Sequence, residues 1–209
     1  MQQSVISSAS ADTDSGREMK IGIFSGSFDP VHCGHAMAAN YLAQYCGLDR
    51  VWMMPSPLNP LKTASPPADA SRRLDMCRIV AAKCAGVHVS DFEFSLPSPS
   101  YTYRTLSALR ETYPQHDFVL VIGSDNWLSF KKWRNPEEII SEFGLIIYPR
   151  PGYDVEGPLP ENVILLKEAP VALISSTFIR QAVASGRNLN YFVDSDVADY
   201  IRMNSLYRP

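Results

Sequence analysis

The stretch Ile21-Gly22-Ile23-Phe24-Ser25-Gly26-Ser27-Phe28-Asp29-Pro30-Val31-His32-Cys33-Gly34-His35 decides how the chain is read. The apolar run from Ile21 to Phe24 has the length of a buried strand. Ser25-Gly26-Ser27 makes a small-residue turn, in which Gly26 lets backbone N–H groups approach a ligand closely. Asp29-Pro30 bends the chain. Ala36 to Ala43 reads as a helix. If it starts near Cys33 or Gly34, His32 and His35 both sit at its positive end, where free N–H groups, the dipole and two imidazoles favour an anion such as phosphate. The plainer alternative is that the histidines cap a helix or line a pocket wall. A zinc site is disfavoured, because His32, Cys33 and His35 cannot by themselves supply a tetrahedral set and no further Cys/His pair has ligand spacing.

Gly26-x-Phe28-Asp29-Pro30-x-His32-x-Gly34-His35 after a first strand resembles the HxGH nucleotidyltransferases, which make dinucleotides or CDP compounds by nucleotidyl transfer. The resemblance extends over most of 19–207 and is strongest to the bacterial nicotinate-nucleotide adenylyltransferases.

At 209 residues and 45% hydrophobic content the chain has enough apolar material for one domain with a sizeable core. A net charge of −3 argues against a nucleic-acid partner or an anionic membrane surface. No apolar run approaches the roughly 20 residues that span a bilayer. Cys33, Cys46, Cys77 and Cys84 form no C-x-x-C pair, which points to reduced thiols and a cytoplasmic setting. Residues 1–18 are rich in Ser, Ala and Asp and lack a signal-peptide pattern, so they read as a disordered extension, with Met1 and Met19 both open as the start. Residues 19–207 then form a single domain, and self-association into a homo-oligomer is left open.

Strands are expected at 20–25, 51–54, 87–89, 92–94, 118–122, 144–148 and 163–166, with helices at 34–46, 71–82, 105–113 and 136–141. Strand–helix–strand spacing implies right-handed parallel crossovers. The fold class is therefore α/β, a Rossmann-like doubly wound parallel sheet with helices on both faces, closed by a small C-terminal helical segment within 193–207. Ligands belong at the carboxyl ends of its strands. The arginines of the 71–82 helix read as a solvated face.

Five prolines between Pro55 and Ala70 exclude regular structure there. Lys62 is the basic residue of that loop. The resemblance matches Asn59-Pro60-x-Lys62 to a phosphate-reaching loop, while a solvated lysine is the plain reading. Ser100-Tyr101-Thr102 offers hydroxyls at a helix start, as a cap or as ligand contacts. The resemblance places Tyr101 and Thr102 on the pyridine nucleotide, although the family usually has Asp where this chain has Arg104. Gly123-Ser124-Asp125 follows the most apolar strand, and an acidic residue there commonly accepts from ribose hydroxyls. Asp125 as a helix cap is the alternative. Trp133 lies in a polar, Lys/Arg-flanked run, which suits ring stacking, whereas Trp127 reads as core. By resemblance Trp133 stacks on the pyridine ring, and Arg150 belongs to the family's Arg-Pro-Gly.

Ile174-Ser175-Ser176-Thr177-Phe178-Ile179-Arg180 is the second signature. A serine cap, a helix start and a guanidinium one turn along together make a polyphosphate cradle. The resemblance implies transfer of the adenylyl group of ATP to nicotinate mononucleotide, giving deamido-NAD and pyrophosphate, with Mg²⁺ carried on the ATP. His32, His35, Arg180 and Lys62 would serve catalysis. Gly26, Ser27, Phe28, Gly123, Asp125, Ser175, Ser176 and Thr177 would hold the nucleotide. Asp29 either helps the metal indirectly or shapes the turn. A phosphopantetheine adenylyltransferase, a cytidylyltransferase and a non-catalytic nucleotide sensor are the rival readings.

Overall fold

The computed structural model describes residues 17–57 and 68–208. Six strands are found there: β1 (Lys20–Gly26), β2 (Arg50–Pro55), β3 (Val87–Val89), β4 (Asp117–Gly123), β5 (Leu145–Tyr148) and β6 (Val163–Leu165). They form one sheet in the order β3-β2-β1-β4-β5-β6, and every neighbouring pair is parallel. The order reverses between β1 and β4, so a crevice opens beyond their carboxyl ends. The helices are α1 (Cys33–Tyr45), α2 (Ala70–Ala81), α3 (Thr102–Thr112), α4 (Ser124–Trp127), α5 (Pro136–Phe143), α6 (Ser176–Ala184) and α7 (Ser195–Met203).

Side-chain alternation along the strands divides the interior into two cores. Ile21 and Ile23, Trp52 and Met54, Leu120 and Ile122, and Leu145 and Ile147 face one side, where Leu106 and Leu109 of α3 and Ile139 of α5 meet them. Phe24, Val51, Met53, Val119, Val121 and Ile146 face the other side, against Ala39 and Leu42 of α1, Met76 and Val80 of α2, Ile179 of α6 and Val197 of α7. Both faces of the sheet are buried, which is why its strands read as nearly continuous apolar runs.

Two expectations are corrected. Phe92-Glu93-Phe94 is a 3₁₀ turn, Phe92–Ser95, and not a strand. There Glu93 is buried and its carboxylate accepts from the Ser100 hydroxyl at 2.6 Å, with burial pushing the acid's pKa up. The second correction concerns α2. Arg73 is not on a solvated face: it is 1% exposed and donates to the carbonyls of Ser27 and Ser56, both at 2.8 Å, of Ala68 at 3.1 Å and of Pro57 at 3.3 Å. A guanidinium carries five donors in a rigid fork, so one side chain can tie two loops together. Trp127, expected in the core, packs against the second core as a half-buried ring and stacks on Phe130 at 5.6 Å.

Replacing Arg73 with Leu leaves these carbonyls without their shared donor. Arg73→Leu is expected to cost roughly 3 kcal/mol of unfolding free energy. Urea denaturation of the variant against the wild type checks this; a loss within experimental error would show that the bonds are not stabilising.

Candidate nucleotide-binding site

The anion site foreseen at the start of α1 is built as follows. His32 is the N-cap, in extended backbone (φ −138°, ψ 174°), and His35 lies in the first turn. The two imidazoles stack at 3.7 Å between centroids, 25° from parallel. The His32 backbone N–H donates to His35 Nδ1 at 3.3 Å. That acceptor role leaves the ring proton of His35 on Nε2. Among the described residues His32 Nδ1 is buried without a hydrogen-bond partner, an arrangement that in a folded protein calls for an explanation. Burial first, and Arg150 second, hold the His32 imidazole down to about 4, so it is neutral at pH 7. Phe28 is buried and sets its edge against His35 at 4.9 Å. A side chain at Gly34 would be crowded: a Cβ there would sit 3.2 Å from both the His32 ring and Ile174 Cγ2.

Ile174 belongs to the second signature, and its neighbours dock directly on the first. The Arg180 guanidinium donates through Nη1 to the Asp29 carbonyl at 2.7 Å, across 151 positions, and through Nη2 to Thr177 Oγ1 at 3.2 Å. The Ser176 hydroxyl donates to the Pro30 carbonyl at 2.9 Å. Ser175 is the N-cap of α6 and accepts from the Phe178 N–H at 3.2 Å. The two serines thus divide the expected work: Ser175 caps the helix, while Ser176 joins it to the β1–α1 loop. That loop is gripped from its other side by Arg73 through Ser27. A further strap is the Cys33 N–H, donating to Phe192 O at 2.9 Å.

A third group closes the crevice at β4. Arg150 Nε lies 3.2 Å from Asp125 Oδ1, and its backbone N–H donates to Ser124 Oγ at 2.9 Å. Gly123 must be glycine for this pair to form, since a Cβ would come 2.3 Å from Asp125 Oδ1 and 2.7 Å from Arg150 Nε. Gly123 is also the N-cap of α4, so Asp125 is not the cap; it lies within the helix's first turn. The depressing effect of Arg150 on His32 ties this group to the histidine pair.

Tyr101 and Trp133 are linked through Arg134, the residue that follows Trp133. Arg134 covers the Tyr101 ring at 4.0 Å, and Trp133 tilts against Phe130 at 5.2 Å, at the margin of the second core. Tyr101 is the N-cap of α3, without a side-chain cap bond, and Thr102 is its first residue. Ser100 spends its hydroxyl on Glu93. Arg104 is exposed on α3. Lys62 lies outside the described residues.

Sequence reasoning missed Arg73 and the Tyr207 hydroxyl, which donates to Asp29 Oδ1 at 2.7 Å. A signal for Arg73 existed: it precedes Met76, Cys77 and Val80 by three, four and seven positions, on the apolar face of α2. Among the described residues no three His, Cys, Asp or Glu side chains gather to hold a metal, and no helix is long and apolar enough to cross a membrane.

Residues 23–182 match the cytidylyltransferase-like family. The probable nicotinate-nucleotide adenylyltransferase of Bacteroides thetaiotaomicron is 50% identical over 186 residues, covering 88% of this chain and 92% of that one. The probable enzyme of the same name from Flavobacterium johnsoniae is 40% identical and is covered over its whole length, against 91% of this chain. The fold also matches Plasmodium falciparum nicotinic acid mononucleotide adenylyltransferase complexed with NaAD, with a TM-score of 0.76 at 21% identity, over 90% of this chain and 97% of that one. With both signatures converging on one crevice and relatives of this identity over nearly their full length, the chain belongs to the cytidylyltransferase-like family and, within it, to the nicotinate-nucleotide adenylyltransferases.

Proposed function

We propose that the histidine pair, the start of α1 and Arg180 carry out the adenylyl transfer of a nicotinate-nucleotide adenylyltransferase. A phosphate oxygen of nicotinate mononucleotide attacks the α-phosphorus of ATP in line. The bond from that phosphorus to the α–β bridging oxygen breaks, and pyrophosphate leaves with the electron pair. The products are deamido-NAD and pyrophosphate, a step of NAD biosynthesis. The nucleophile is already anionic at neutral pH, so catalysis rests on positioning and on donors aimed at developing charge. The observation that carries this reading is the convergence of the α1 start and Arg180 on the same loop.

His35 presents Nε2–H and the neutral His32 one ring N–H, both acting as hydrogen-bond donors to phosphate oxygens. Arg180 holds the β- and γ-phosphates, with Lys62 as its partner. The backbone of Gly26, Ser27 and Phe28 lines the nucleotide's path. Gly123 and Asp125 face the ribose, and Arg150 holds Asp125 in place while adding positive charge near His32. The Tyr101, Thr102 and Trp133 group takes the pyridine ring. The donor set suits an anion: the Asp29 carboxylate already accepts from Tyr207 and from the Ala68 N–H, and Asp125 is paired with Arg150. Asp29 therefore shapes the turn, and Mg²⁺ would arrive on the triphosphate oxygens, neutralising their charge.

Pyrophosphate release should be read with ATP or CTP and with nicotinate mononucleotide, nicotinamide mononucleotide and phosphopantetheine as acceptors. Turnover with ATP and nicotinate mononucleotide, and none with phosphopantetheine, is expected; the reverse preference would overturn the assignment. In the same assay His35→Ala should lower kcat by roughly 10²- to 10³-fold without unfolding the chain, and near-normal turnover would remove His35 from the chemistry.

The buried His32 also predicts a pH dependence. The unfolded chain takes up this proton near 6.5, the folded chain only near 4. Between those values the unfolded state binds more protons, so stability is full above 6.5 and declines as pH falls toward 4. In His32→Gln the urea midpoint should fall less over that window than in the wild type; an identical fall would mean that His32 titrates alike in both states.

A further inference from the structure

Asp29 sits in the β1–α1 loop and is 8% exposed. Its Oδ1 accepts from the Tyr207 hydroxyl at 2.7 Å and from the Ala68 N–H at 3.2 Å. Its Oδ2 lies 3.9 Å from Arg180 Nη1, an ion pair without a hydrogen bond. The same Nη1 donates instead to the backbone carbonyl of Asp29 at 2.7 Å. A largely buried carboxylate this close to a guanidinium would ordinarily close onto it, because charge-assisted pairs are the strongest available in a poorly solvated site. Here two other donors hold the carboxylate on its far oxygen.

Tyr207 is well placed to keep that hold. The end of α7 is tied to α2 by the Tyr200 hydroxyl, donating to Asp75 Oδ2 at 2.8 Å, and by Arg72 on Asn204 Oδ1. Asn204 Nδ2 donates to Tyr200 O at 2.9 Å, and the Leu206 N–H to Ile201 O at 3.0 Å. α2 is the helix that also carries Arg73 into the β1–α1 loop. Burial and the neighbouring carboxylate push the Tyr207 phenol well above its ordinary range, so the hydroxyl remains a donor.

We propose that Tyr207 is a positioning residue for the polyphosphate: by holding Asp29 Oδ1 it keeps the Asp29 carboxylate from closing its ion pair with Arg180 into a hydrogen bond and leaves the guanidinium donors for phosphate. The inference rests on the reading that Arg180 binds the β- and γ-phosphates. Without the hydroxyl, Asp29 rotates onto Arg180 and takes up a guanidinium donor that phosphate would otherwise use. The mononucleotide, bound elsewhere, is unaffected.

Binding of a non-hydrolysable ATP analogue is measured by calorimetry on the full chain, without acceptor, together with KM for each substrate and Tm. Tyr207→Phe should weaken the analogue by about tenfold, the size of one charge-assisted bond, and leave the KM for nicotinate mononucleotide within about twofold. Adding Asp29→Asn to Tyr207→Phe should recover most of that loss, because the competing charge is gone. A merely structural tyrosine would spare analogue affinity or weaken both substrates alike, and would show no recovery; any of these overturns the proposal, whatever the change in Tm. If the double variant does not fold, a crystal structure of Tyr207→Phe decides: the Asp29–Arg180 gap must close to a hydrogen bond, and an unchanged gap is a negative result. A wild-type chain that fails to bind the analogue removes the functional reading and this inference together, whereas a normal wild type beside an unaffected Tyr207→Phe removes this inference alone.

Discussion

The contact on which the remainder depends is Arg180 and Ser176 of α6 donating to the carbonyls of Asp29 and Pro30. Those carbonyls lie in the loop that feeds His32 into α1. A loop of this kind, entered from a buried strand and left through a helix cap, has few backbone partners of its own. Side-chain donors from elsewhere satisfy it: Arg180 and Ser176 on one side, Arg73 on the other, through Ser27. A buried carbonyl left without a donor costs free energy comparable to the bond it lacks. The loop's conformation is thus set by residues distant in sequence, and the histidines inherit their position from it.

The sheet supplies the frame for this arrangement. Because β1 and β4 are neighbours, the β1–α1 loop and the Gly123–Asp125 turn open into the same crevice. α1 and α6, which carry His35 and Arg180, pack with α2 and α7 on one face of the sheet; α3 and the segment around Trp133 belong to the other face. The division suits a reaction between two nucleotides, in which a polyphosphate and a pyridine ring need different surroundings. In the proposed reaction, imidazole and guanidinium N–H groups are the donors that an anionic transition state requires.

Much of this was legible in the sequence. The strands were readable because both faces of the sheet are buried, which turns each of them into an apolar run. The start of α1 was readable because glycine and histidine stand where a helix must begin, and the serine cap of α6 because Ser175 follows an apolar segment. Side chains that act across the chain were not legible. Arg73 looked solvated because arginine usually is, and its four carbonyl partners lie on segments that only folding brings together. Tyr207 was hidden for the same reason: its partner Asp29 is 178 positions away. Phe92-Glu93-Phe94 misled because aromatic alternation imitates a strand, while the buried Glu93 at its centre is held by Ser100 instead of a sheet neighbour.

The most direct measurement is a crystal structure of the chain with a non-hydrolysable ATP analogue and nicotinate mononucleotide bound together. The account predicts that His35 Nε2 and the Arg180 guanidinium both lie within about 3 Å of oxygens of the same triphosphate, with the mononucleotide phosphate in line with its α-phosphorus. A triphosphate bound by one of these groups while the other faces solvent would contradict it.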